Sequence, residues 1–141
     1  MKKKILIVIA NYYKDISYGL LASAKKKLSK VSKIKIIYVP GVFEIPVTIA
    51  KNINRFDGFI ALGCVIKGKT PHFDLICKTS FSAIANLSIS YNKPIGNGII
   101  TAYNKKQASE RSGKVKSNKP NKGYEAARAV LSILNNGPKK I

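Results

Sequence analysis

The chain is built from short apolar runs separated by segments of helical periodicity. Ile5 to Ala10 is uninterrupted and largely β-branched, which predicts a strand covered on both faces. Leu20, Leu21, Ala24, Leu28 and Val31 then recur at the spacing of a buried helix stripe. Ile34 to Val39 predicts a second strand, ended by Pro40-Gly41, and Pro46 to Asn54 a short helix with Pro46 in its first turn. Arg55-Phe56-Asp57-Gly58 reads as a turn and Phe59 to Val65 as a third buried strand. A longer helix follows, with Thr70 as its expected cap and Pro71 at its first position. Its inward stripe is Phe73, Ile76, Cys77, Phe81, Ile84 and Leu87. Pro94 to Ile100 predicts a fourth strand and Lys105 to Arg111 a short helix. A last helix buries Ala127, Val130, Leu131 and Leu134.

Strands that alternate with helices need right-handed crossovers, which lay the strands parallel and put helices on both faces. The expected fold is α/β, a three-layer flavodoxin-like sandwich with a four-stranded parallel sheet flanked by helices on both faces. With 141 residues, 45% hydrophobic and without an internal repeat, residues 1–141 read as a single domain with a real core. Ser112 to Gly123 is polar, basic and aperiodic, a connection long enough to be either disordered or functional.

Charge changes this picture less than its size suggests. The 26 Lys+Arg against 6 Asp+Glu give a net charge of +20, which raises nucleic acid as a partner. The cations are overwhelmingly lysine, with Arg55, Arg111 and Arg128 the arginines, and they are scattered apart from Lys2 to Lys4 and Lys25 to Lys27. Isoleucine and asparagine are abundant too, as biased codon usage would give. Base readout needs arginine and aromatic side chains grouped together, so a solvated basic surface and no nucleic-acid partner are expected. Cys64 and Cys77 lie in apolar settings without metal-type spacing, as in a reduced cytoplasmic chain. The opening Met1-Lys2-Lys3-Lys4 precedes an apolar run too short for a signal peptide and without a small-residue cleavage site, and no segment is long enough to cross a membrane.

The chemistry-bearing residues gather where strands end, and in an open parallel sheet ligands bind outside the carboxyl ends of the strands. Tyr12 and Tyr13 follow the first strand, Gly41-Val42-Phe43-Glu44 the second and Gly63 to Asp74 the third, while Asn97 sits between Gly96 and Gly98 in the fourth. Tyr12 and Phe43 suit a core cap as well as a ligand surface. Glu44 stands between Phe43 and Ile45 in an apolar run, where a carboxylate needs donors such as a polyol or a ring N–H. The stretch Lys67-Gly68-Lys69-Thr70 leads into a helix start, where free N–H groups and the dipole attract an anion, with phosphate the expected guest. His72, the only histidine, is expected as the second residue of that helix, where the dipole favours a neutral ring able to accept a proton. Lys67, Lys69, Arg111 and Lys122 each read individually as solvated charges. Cys64 reads as a buried residue rather than a nucleophile.

Tyr38-Val39-Pro40-Gly41-Val42-Phe43-Glu44-Ile45-Pro46, then Ala61-Leu62-Gly63-Cys64-Val65-Ile66-Lys67-Gly68-Lys69-Thr70-Pro71-His72-Phe73-Asp74, then Glu110-Arg111 and Asn121-Lys122-Gly123, resemble the 6,7-dimethyl-8-ribityllumazine synthase family in order and nearly end to end. The resemblance implies the penultimate step of riboflavin biosynthesis. In that step 5-amino-6-(D-ribitylamino)uracil condenses with 3,4-dihydroxy-2-butanone 4-phosphate, releasing phosphate and water, with no metal or organic cofactor. It also implies roles. His72 matches the proton-transfer histidine and Tyr12 the aromatic that stacks on the pyrimidine. Val42, Phe43 and Glu44 match the pyrimidine and ribityl site, and Cys64, Val65 and Ile66 supply backbone contacts to the ring. Lys69 and Thr70 match the phosphate cradle, Arg111 the phosphate-binding arginine, and Lys122 a lysine near the phosphate and ribityl end.

The departures are also informative. Asn97 stands where many members carry phenylalanine, so that a hydrogen bond replaces stacking from that side. Asn11 and Tyr13 replace the usual arginine and asparagine. Family sites lie between subunits of a homopentamer, with the residues matching Asn97, Arg111 and Lys122 coming from the adjacent chain. The segment from Arg111 to Lys122 is longer than in shell-forming members and there is no N-terminal extension, which implies a free pentamer. Two other classes compete with the enzyme. They are a lumazine-type binding protein without turnover, disfavoured by the intact His72, Arg111 and Lys122 set, and a basic nucleic-acid binder, which would show steeply salt-dependent affinity.

Overall fold

In the computed structural model, which describes residues 2–140, the apolar runs form a sheet of four parallel strands, β1 (Lys3–Ala10), β2 (Ser32–Val39), β3 (Gly58–Ile66) and β4 (Ile95–Ala102). Their order is β2-β1-β3-β4, so the chain steps one way from β1 to β2 and then crosses to the other side of β1 for β3. The helices are α1 (Lys14–Leu28), α2 (Ile45–Lys51), α3 (His72–Tyr91), α4 (Lys105–Glu110) and α5 (Lys122–Leu134), with a 3-10 turn over Val42–Glu44 before α2. Met1 and Ile141, the ends of the expected domain, lie outside the described residues. No helix among the described residues is long and apolar enough to cross a membrane.

Period-two alternation divides the core into two halves. Ile5, Ile7 and Ile9 of β1, with Ile60 and Leu62 of β3, face α1 and α5. Leu6, Val8 and Ala10, with Phe59 and Ala61, face α2 and α3. All of these are essentially buried, which is why β1 and β3 carry no polar residue in their centres. Burying one such isoleucine or leucine side chain contributes about 1.5–3 kcal/mol.

The boundaries differ from expectation where a local hydrogen bond or a turn wins over periodicity. Helix α1 stops at Leu28, where Ser29 N–H donates to Lys25 O at 2.8 Å and Val31 N–H to Leu28 O at 3.0 Å. Val31 therefore lies outside the helix and is exposed rather than completing the stripe. Helix α3 begins at His72 with Pro71 flanking it, one residue later than expected, so His72 is its first residue. The α3 stripe is only half covered: Ile84 is buried, while Phe73, Ile76, Cys77, Phe81 and Leu87 remain partly accessible. Strand β4 runs on to Ala102, and Asn97 pairs with Ala61 in mid-strand, away from the carboxyl rim where the sequence reading grouped it.

Two glycines let backbone approach α1 closely, Gly19 on the side of the connection before α5 and Gly123 where α5 itself packs on α1. A Cβ on Gly19 would stand 2.0 Å from Ser112 O, and one on Gly123 would stand 2.1 Å from Leu20 O. The long connection before α5 is tied at its base by Lys122 N–H donating to Arg111 O at 2.9 Å. Its middle is held by Ser117 Oγ donating to Glu110 O at 2.8 Å and by the Lys114 ammonium donating to the Asp15 carboxylate. It is an ordered loop with closed ends.

Candidate active site

The order β2-β1-β3-β4 creates a crevice above β1 and β3, where successive connections leave the sheet in opposite directions. A cavity of about 400 Å³ lies there. Its walls come from four segments: Tyr12 and Tyr13 after β1, Gly41 to Glu44 after β2, Cys64 to Ile66 at the end of β3, and His72 with Ile76 on α3.

Each wall has a local cause. Gly41 has an extended backbone and hands the chain into the 3-10 turn, which puts Phe43 and Glu44 on the outer side while Val42 is buried beneath. A Cβ on Gly41 would come within 3.1 Å of Glu44 Oε1, so this glycine leaves room for the carboxylate. Phe43 and Tyr12 are 56% and 75% exposed, and their rings at the cavity wall offer a flat ligand a stacking surface. His72 opens α3, and its backbone N–H faces Thr70 Oγ1 at 3.4 Å, a long bond that gives the helix start only weak capping. Ile76 is one turn further on, so it lines the same side.

The thiol of Cys64 at the back of the cavity is not a nucleophile. Burial pushes its pKa up to about 12, with Asp15 and Cys77 adding to the effect, so it stays protonated. Burial also raises Tyr13, which keeps its phenol neutral. Cys64, Val65 and Ile66 therefore contribute shape and backbone groups at the end of β3.

The chain thus brings Tyr12, Val42, Phe43, Glu44, Cys64, Val65, Ile66 and His72 to one space. Lys69 and Thr70 lie on the exposed loop before α3, next to His72 in the chain but outside the cavity wall. Asn97, Arg111 and Lys122 do not reach it. Asn97 turns its Oδ1 back to accept from Ile99 N–H at 3.0 Å. Arg111 lines a separate hollow of about 500 Å³ with Phe73, Thr101, Tyr103 and Gln107, and its Nη1 donates to Gln107 O at 3.0 Å. Lys122 opens α5, 3.9 Å from the Glu125 carboxylate. The larger hollow is thus the one without the histidine, and it takes Phe73, Cys77 and Phe81 of α3 where the other takes His72 and Ile76.

Sequence reasoning placed Tyr13 at the rim but gave it no role, and it read Ile76 only as core. Both line the cavity, Tyr13 by following Tyr12 and Ile76 by standing four residues after His72. Tyr103, over which Lys67 Nζ stands 5.2 Å from the ring centroid and which tilts against Phe73 at 6.2 Å, went unnoticed because it lies beyond the last apolar run of β4.

Residues 2–137 match the family model described as 6,7-dimethyl-8-ribityllumazine synthase. A protein of that name from Bartonella henselae is 43% identical over 138 residues, covering 94% of this chain and 87% of its own length. One from Bartonella tribocorum is 42% identical, covering 95% and 91%, and one from Agrobacterium fabrum is 40% identical, covering 94% and 93%. With the family model spanning nearly the whole chain and relatives at this identity along most of their length, the chain belongs to the 6,7-dimethyl-8-ribityllumazine synthase family.

Proposed function

We propose that this protein condenses 5-amino-6-(D-ribitylamino)uracil with 3,4-dihydroxy-2-butanone 4-phosphate in the cavity above β1 and β3, giving 6,7-dimethyl-8-ribityllumazine, phosphate and water. The observation that carries this reading is the convergence of two exposed aromatics, a carboxylate and the sole histidine on one cavity. Tyr12 stacks on the flat pyrimidine, and Phe43 covers its flank. The Glu44 carboxylate accepts from ribityl hydroxyls, whose donors compensate its partial burial. Backbone groups at the end of β3 meet the edge of the ring.

Both reactive groups arrive with the substrates. The amine attacks the ketone carbonyl and one water leaves as the imine forms; phosphate is then eliminated, the resulting enol tautomerises to a ketone, and the ribityl-bearing nitrogen closes the ring on that carbonyl with loss of a second water. The protein has to orient two molecules and move protons, and orientation alone supplies up to about 7–11 kcal/mol in well-aligned systems. His72, beside the cavity at the start of α3, accepts and returns a proton, a contribution of about 10²–10⁴-fold. Lys69 and Thr70, with the α3 N-terminus, hold the phosphate.

The remaining residues of the expected site point to assembly. Arg111, Asn97 and Lys122 lie outside the cavity of their own chain, on other faces of the fold. We infer that they complete the cavity of a neighbouring copy in a homopentamer, the Arg111 guanidinium gripping the phosphate with two parallel hydrogen bonds. The protein works in the cytoplasm, where its two free thiols stay reduced. Mixing the purified chain with both substrates and following lumazine absorbance tests the reading. Product formation that depends on both substrates supports it, and its absence refutes it. His72→Ala should slow turnover by no more than about 10²–10⁴-fold, because orientation persists.

A further inference from the structure

Tyr12 has little of its own to hold it. It lies in the bend between β1 and α1 with its side chain 75% exposed, and its ring's aromatic contact is Tyr13, at 5.0 Å between centroids and 80° between planes. Tyr13 is anchored at both ends. Its carbonyl accepts from Ser17 N–H at 2.9 Å, which ties it to the first turn of α1, and its ring packs on the cluster that contains Ile16, Leu20 and Cys64. An edge-to-face pair is a favoured aromatic geometry, and an exposed tyrosine otherwise samples several staggered side-chain positions.

We propose that Tyr13 is a positioning residue for the pyrimidine substrate, its anchored ring holding the exposed Tyr12 ring ready to stack. The inference rests on the functional reading above and adds to it a residue at the cavity wall whose ring acts on the substrate through Tyr12. Without Tyr13 the substrate itself has to order Tyr12 on binding, which weakens it by about three- to tenfold. The phosphorylated ketone, held by its phosphate at the start of α3, is indifferent. So is the chemical step once both substrates are seated. The ring carries this role and the phenol does not.

The test is a kinetic double-mutant cycle on the full chain with both substrates. Tyr13→Leu keeps apolar volume against the core and removes the aromatic edge, which guards against simple unfolding. It should raise KM for the aminopyrimidine about three- to tenfold while kcat and KM for the phosphorylated ketone stay within about twofold. Tyr13→Phe should recover the wild-type KM. In a Tyr12→Ala background Tyr13→Leu should add nothing, because the ring it positions is gone. A Tyr13→Leu penalty that persists in that background, falls on both substrates, or appears equally in Tyr13→Phe overturns the proposal. If Tyr12→Ala raises KM for the pyrimidine and Tyr13→Leu does not, this inference fails and the stacking reading stands. If the wild-type chain makes no lumazine, the functional reading is what has failed.

Discussion

Gly123 offers a sharp test of how the fold carries the site, because two effects of opposite sign meet there. It is the second residue of α5, directly after Lys122, and the helix is buried at this point against Leu20 of α1. Alanine is a better helix former than glycine by about 1 kcal/mol, so on helix propensity alone Gly123→Ala would stabilise the protein. In the structure the new Cβ would stand 2.1 Å from Leu20 O, 2.8 Å from Leu20 C and 3.0 Å from Leu20 Cα. These are backbone atoms, and no rotamer change can move them. Carbon and oxygen at ordinary contact lie about 3.3–3.6 Å apart, so α5 must move off α1 by more than about 1 Å. Overpacking of this kind costs about 1–3 kcal/mol, and a rigid partner puts it near the upper end. Offset by propensity, the net loss is about 2 kcal/mol. Urea unfolding at a fixed protein concentration, followed by circular dichroism, reads this as a lower midpoint at unchanged slope. Because α5 also carries Lys122, turnover should fall as well. A variant more stable than the parent would refute the close crossing and the placement of α5 with it.

Three further outcomes follow from the same geometry. Asn121 caps α5, its Oδ1 accepting from Gly123 N–H at 2.8 Å and Tyr124 N–H at 3.3 Å; Asn121→Ala should cost about 1 kcal/mol in the same urea experiment. Cys64 has a folded-state pKa raised from 9.0 to about 12, so the stability it contributes is fully present below pH 9 and declines as pH rises through 12, by up to about 1.4 kcal/mol per unit. Cys64→Ala should flatten that alkaline decline relative to the parent, and identical slopes would count against a buried thiol. Arg111→Lys keeps the charge but loses the planar fork, so KM for the phosphorylated ketone should rise about tenfold while KM for the pyrimidine holds; equal rises for both would contradict the assigned role.

Much of the fold was legible because β1 and β3 are buried on both faces. A run such as Ile5 to Ala10 admits few other readings, and the structure extends it only by Lys3 and Lys4 at the exposed start. Helix ends were less legible, since they depend on single hydrogen bonds. Ser29 and Val31 close the end of α1 with turn bonds that no apolar spacing announces, and Pro71 flanks α3 where the expectation put it inside. Part of the candidate site was readable from strand ends alone: Tyr12, Phe43, Glu44 and His72 are un-corelike residues following three strands and share one cavity. Asn97 defeated the same logic. It was grouped with the strand ends as an odd polar residue between glycines, but Gly96 and Gly98 are small because Ala126 and Leu62 press on the strand there, with a Cβ on Gly96 falling 2.3 Å from Ala126 O. Arg111 and Lys122 were expected in the site by motif and not by local pattern, and topology places both outside the cavity of their own chain.

The proposal that neighbouring copies share a site is tested most directly by mixing two damaged chains. Glu44→Ala removes a residue of the cavity from one subunit, and Arg111→Ala removes the phosphate grip that the account assigns to its neighbour. In a cyclic assembly formed from equal amounts of both, about a quarter of the interfaces pair an intact Glu44 with an intact Arg111. Co-expressed and purified together, the variants should recover about a quarter of the parent's rate of lumazine formation, well above either alone. Activity no higher than the average of the two separate variants would contradict the account and place the whole site within a single chain.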